Sequence, residues 1–68
     1  MTNTTMLVTF IDNSGFKRSH IAKKLGITSY TLARKIENKS EFKANEIEIL
    51  CNLLSIDKEE RMAIFFAN

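Results

Sequence analysis

The residues able to do covalent or metal chemistry are few and scattered. The chain holds one histidine, His20, and one cysteine, Cys51. A nucleophilic pair needs both side chains within hydrogen-bond reach, yet these two fall on separate predicted helices. A single histidine and a single cysteine do not furnish a zinc site, and a lone cysteine forms no internal disulfide. Cys51 reads as a small core residue and His20 as a surface residue. The eight carboxylates show no convergent spacing. A chain of 68 residues also leaves little room for a sizeable pocket. No enzyme, metal centre or cofactor is expected.

The basic residues are different, because they are gathered. Residues 17 to 43 carry Lys17, Arg18, Lys23, Lys24, Arg34, Lys35, Lys39 and Lys43 against Glu37 and Glu41, eight cations less two carboxylates, or +6. The remainder carries Lys58 and Arg61 against Asp12, Glu46, Glu48, Asp57, Glu59 and Glu60, or −4. A basic middle in an otherwise acidic chain is the footprint expected of a polyanion-binding surface. An ordinary solvated helix surface fits the same count.

The elements that must carry these charges are helical. The chain has no proline and two glycines, and its 44% hydrophobic content marks a globular fold. Met6, Leu7, Phe10 and Ile11 make one apolar stripe, predicting a helix over about Thr4 to Asn13 capped by Asn3 or Thr4. "NSG" at 13 to 15 ends it. Ile21, Ala22 and Leu25 predict a second helix from about Arg18 to Leu25. Leu32, Ala33 and Ile36 predict a third from about Ser29 to Glu37, with Thr28 as its N-cap. Ile47, Leu50, Cys51 and Leu54 repeat at i, i+3, i+4 and i+7, the cleanest helix, over Ala44 to Leu54. Asp57 with Glu60 forms a capping-box signal for a last helix carrying Met62, Ile64, Phe65 and Phe66. The expected architecture is all-α, a five-helix bundle with residues 1–68 as one domain.

Gly26 decides how the second and third helices are related. A glycine inside one long helix costs roughly 1 kcal/mol, and that reading wastes Thr28. Two short helices joined by a sharp turn use both residues. Ala22 then keeps the crossing close, Gly26 supplies the turn, and Ile27 and Leu32 plug the space between. This is a helix-turn-helix pattern.

On these residues the chain resembles a known family. "GFKRSHIAKKLGITSYTLARKIENK" is similar to the DNA-binding domain of lambda-type phage repressors and Cro proteins. More narrowly, "LARKIENKSEFKANEIEIL" and the closing "IFFAN" look like small Cro-like regulators from phages of Gram-positive bacteria. The resemblance implies a five-helix lambda repressor-like DNA-binding domain acting in the lysis/lysogeny switch. Two departures stand out. Lys17 and Arg18 occupy the positions where the family usually has Ser or Thr followed by Gln, so the cap of the second helix is weaker. "RKIENKS" has an extra Lys35 and no glycine, which predicts a longer or distorted end to the third helix.

The resemblance also implies roles for individual residues. The third helix exposes Ser29, Tyr30, Thr31 and Arg34 as base-contacting candidates, and its N-terminal part enters the major groove. Arg34 is the best reader, since its fork matches guanine O6 and N7. Arg18, Lys35, Lys39 and Ser40 are the expected phosphate contacts. Lys17, Lys23, Lys24 and Lys43 add a diffuse field. Against these stand plainer readings: Tyr30 half-buried in packing, and Arg34 paired with Glu37 at i, i+3.

The expected partner is double-stranded DNA. The alternative is an antirepressor that works by binding the phage repressor protein, with little DNA binding of its own. "MAIFFAN" bears on this, because Phe65 and Phe66 either close the bundle or leave an apolar patch for a weak homodimer or another protein. No basic n-region with a long apolar run begins the chain, and no run approaches the ~18 residues of a membrane span. A cytoplasmic location in a bacterial host cell is therefore expected.

Overall fold

Asn3 starts the first helix, its side chain accepting from the Met6 N–H at 3.1 Å. The computed structural model describes residues 1–66; Ala67 and Asn68, the end of the "IFFAN" stretch, lie outside the described residues. Helix α1 runs Thr4–Ser14, one residue beyond the expected Asn13, and ends at Gly15 with φ 79°. Helix α2 (Arg18–Leu25) follows Lys17, whose side chain makes no capping hydrogen bond. Helix α3 is Ser29–Ile36, α4 is Ala44–Leu54 and α5 is Lys58–Phe65. These five helices account for the regular structure among the described residues, none of which is in a strand.

The turn between α2 and α3 follows from Gly26. At φ 73° it adopts the left-handed conformation that a side chain disfavours by roughly 1–2 kcal/mol. Its N–H donates to Lys23 O at 3.1 Å, and the Ile27 N–H donates to Ala22 O at 3.0 Å. This is a Schellman ending, which satisfies two free carbonyls of α2. Thr28 then starts α3, its hydroxyl oxygen accepting from the Thr31 N–H at 3.1 Å.

The end of α3 corrects the expected distortion around the extra Lys35. The helix stops at Ile36, and Asn38 takes the left-handed conformation at φ 63°. Lys39 N–H donates to Arg34 O at 2.8 Å and Asn38 N–H to Lys35 O at 3.3 Å, the same ending that Gly26 gives α2. Asn38 thus does the work of the missing glycine. Its side chain also pairs with the Thr2 backbone: Nδ2 donates to Thr2 O and Oδ1 accepts from Thr2 N–H, each at 2.8 Å.

The core gathers buried side chains from all five helices into one cluster. Leu7, Ile21, Leu32, Ile36, Leu50 and Ile64 are its fully buried large members. Helix α2 packs on α3 and α4, and α1 packs on α3, α4 and α5. Asn3 N–H donates to Ile64 O at 2.6 Å, so the chain start is fastened to α5. Asp57 and Glu60 cap α5 reciprocally, at 2.8 and 3.0 Å. Phe65 is buried and meets Phe42 edge-to-face at 5.6 Å, whereas Phe66 is 53% exposed. The whole measures 26 × 24 × 20 Å. Among the described residues no helix is long and apolar enough to cross a membrane.

Candidate nucleic-acid interface

Helix α3 presents its outer face by default, because Leu32, Lys35 and Ile36 face inward. At 100° per residue the opposite side centres on Tyr30 and Arg34, one turn apart. Ala33 lies on the same side, with Ser29 and Thr31 flanking. Tyr30 is 72% exposed, which removes the half-buried packing reading. Ser29 is exposed, while Thr31 and Arg34 are intermediate. The Thr31 hydroxyl lies 3.0 Å from that of Thr28, so it is partly engaged by the cap that starts the helix. Arg34 does not pair with Glu37. Its Nη2 instead donates to Lys39 O at 3.4 Å, a long contact that leaves the rest of its fork free.

The expected phosphate contacts divide. Arg18 and Lys39 are exposed, and Ser40 is half-buried beside Lys39. Lys39 forms an ion pair with Glu37 at 3.8 Å, both side chains more than half exposed, a pair that water and salt weaken. Lys35, expected at the surface, is buried. Its side chain is 7% exposed and its Nζ donates to Glu46 Oε1 at 2.5 Å in the interior. It cannot reach a phosphate outside, and its charge is cancelled within the fold. The surface field of residues 17 to 43 therefore rests on seven cations rather than eight. Lys17, Lys23, Lys24 and Lys43 are all exposed, as a diffuse field requires.

Glu46 is the buried charged residue that the sequence did not single out. It is 3% exposed on α4, and the oxygen that receives Lys35 also accepts from the Lys43 N–H at 2.8 Å. Burial pushes its carboxyl up. The Lys35 hydrogen bond, the Lys43 N–H and the charges of both lysines outweigh that, holding it below the ordinary value of 4.5. Its place three residues after Lys43, in the first turn of α4, is a capping position that the exposed Glu48 lacks, but that signal says nothing of the partner from α3. Asn38 had a weak signal, since asparagine is the usual substitute for glycine just past a helix end.

At the start of α2, Phe16 and His20 stack with ring centroids 5.3 Å apart, and both are exposed beside Lys17 and Arg18. Met62 on α5 and Phe66 just past its end are exposed four residues apart. Cys51 is buried in the core, which raises its thiol above the usual range despite the nearby Arg61 charge. Comparison of the chain with protein-family models, curated proteins and solved structures yields no match.

Proposed function

We propose that this chain is a Cro-like transcriptional regulator, with α2, the Gly26 turn and α3 forming a helix-turn-helix and α3 entering the major groove of operator DNA. The observation that carries this reading is the outward stripe of Tyr30 and Arg34 on a Thr28-capped helix, flanked by exposed cations. Arg34 reads a guanine edge. Tyr30, Ser29 and Thr31 contact neighbouring base edges, a thymine methyl or phosphate. Arg18, Lys39 and Ser40 hold the backbone and fix the register without reading sequence. Such a domain acts in a phage lysis/lysogeny switch.

Selection of duplexes from a random library with the intact chain tests this. The reading predicts a recovered consensus bound much more tightly than random duplex. Equal affinity for both removes direct readout.

A second reading is supported by Met62 and Phe66. Two exposed apolar side chains four residues apart suit a protein partner. The chain would then act as an antirepressor, gripping the phage repressor and binding DNA poorly alone. A footprint of the control region with this chain, the repressor, and both together separates the two.

A further inference from the structure

A buried ion pair calls for a reason beyond stability. Two charges taken out of water are often no better than two well-packed apolar residues of the same volume. Here the pair joins Lys35 on α3 to Glu46 on α4, both nine-tenths buried, at 2.5 Å. Glu46 is itself fixed, because the same oxygen accepts the Lys43 N–H that opens α4. The rest of the inward face of α3 is Leu32 and Ile36. Apolar packing is non-directional and tolerates small rolls of a helix about its axis. A charged hydrogen bond to a doubly held carboxylate does not.

From this geometry we infer that the Lys35–Glu46 pair is a positioning device that sets the fine roll of α3, and so the aim of the side chains on the outward face that Leu32 and Ile36 already define. Arg34 precedes Lys35 by one residue, or 100° of rotation. Whatever fixes Lys35 inward fixes Arg34, and with it Tyr30, outward. Lys35 and Glu46 touch no ligand and act through α3. The inference rests on the DNA-reading function proposed above, and it identifies what gives that surface its selectivity. Thr4 Oγ1, donating to Ile36 O at 2.5 Å, and the Asn38–Thr2 pair hold the far end of α3 in place. Neither grips a side chain in the middle of its inner face.

The test uses the full chain with K35M/E46Q. Methionine fills the lysine stem's space, and glutamine keeps an acceptor for the Lys43 N–H, so the α4 cap survives without a buried charge. K35M/E46L, with no polar group left at either position, serves if the first does not fold. Affinity is measured for a duplex selected by the wild-type chain and for a random duplex. The expected result is a drop of about tenfold in the selected-to-random ratio, the worth of one misplaced base contact, with random-duplex affinity unchanged. An unchanged ratio in a folded variant overturns the inference. Amide exchange of the free proteins is measured alongside. Faster exchange confined to Ser29–Ile36 supports the inference, and unchanged exchange overturns it. The exchange result stands without DNA. A wild-type chain that selects no duplex thus defeats the function proposed above, while the pair is still judged.

Discussion

Lys35 on α3 and Glu46 on α4 form a buried ion pair at 2.5 Å, eleven residues apart in the chain. The relationship ties the helix proposed to read DNA to the first turn of the helix behind it. It also takes one lysine out of the surface field and hands it to the interior.

Breaking this pair from one side leaves an uncompensated buried charge. K35M alone and E46Q alone are each expected to destabilise the fold by about 3 kcal/mol or more, while K35M/E46Q recovers part of the loss, because no charge stays buried but the glutamine N–H groups lose the lysine side as a partner. Urea denaturation of the four proteins checks this. Additive single losses would contradict the coupling.

The same carboxyl makes stability depend on pH. Glu46 binds its proton less readily folded than unfolded, so the unfolded chain takes up more protons as pH falls. Its contribution is present above the ordinary value of 4.5 and is lost as pH drops through the lower folded value. Urea midpoints from pH 6 down to about pH 3 should fall more steeply for wild type than for K35M/E46Q. Parallel curves would remove Glu46 from the acid response.

Asn38 supplies both a left-handed backbone and a side chain bound to Thr2. N38G keeps the first and loses the second; N38A loses both. The predicted stability order is wild type, N38G, N38A, with roughly 1 kcal/mol between the last two. Thermal melts decide it, and N38A equal to N38G would show that the backbone conformation carries no cost.

Gly26 offers a cleaner case. At φ 73° it has nothing within 4 Å of where a Cβ would lie. G26A is therefore expected to cost only the conformational penalty, roughly 1–2 kcal/mol, and to leave the turn intact. A larger loss in denaturant midpoint would reveal a contact at this turn.

Much of this fold was legible because its signals are local. Thr28, Gly26 and the Asp57–Glu60 box act within one turn of where they stand, and the limits of α2 and α4 follow from apolar spacing and stop signals. What escaped was set by distant partners. Lys35 reads as surface from its polarity alone, and only the arrival of Glu46 from α4 makes its burial tolerable. The end of α3 escaped for a related reason: Asn38 replaces a glycine whose absence suggested distortion. Phe65 and Phe66 are alike in sequence. They differ in the fold: Phe65 is buried within α5 and meets the ring of Phe42, from the loop before α4, whereas Phe66 lies just past the helix and is exposed. The outer face of α3 was readable as a face, since Leu32 and Ile36 point the other way. Its free fork at Arg34, turned toward Lys39 O rather than Glu37, was not.

The proposed DNA surface divides into residues that would read bases and residues that would hold the backbone. R34A is expected to lose about 1–3 kcal/mol of discrimination between selected and random duplex, and K39A to weaken both alike. K39A should also lower the slope of log affinity against log salt by about one. Fluorescence-anisotropy titrations from low to moderate salt check both. A selectivity loss in K39A as large as that in R34A would contradict the division.

The most direct measurement is amide chemical-shift mapping of the intact chain as a duplex selected by that chain is added. Saturable shifts concentrated on Ser29, Tyr30, Thr31 and Arg34 are expected, with smaller ones at Arg18, Lys39 and Ser40. Shifts confined to α5 around Met62, or none at all, would contradict the proposed DNA surface.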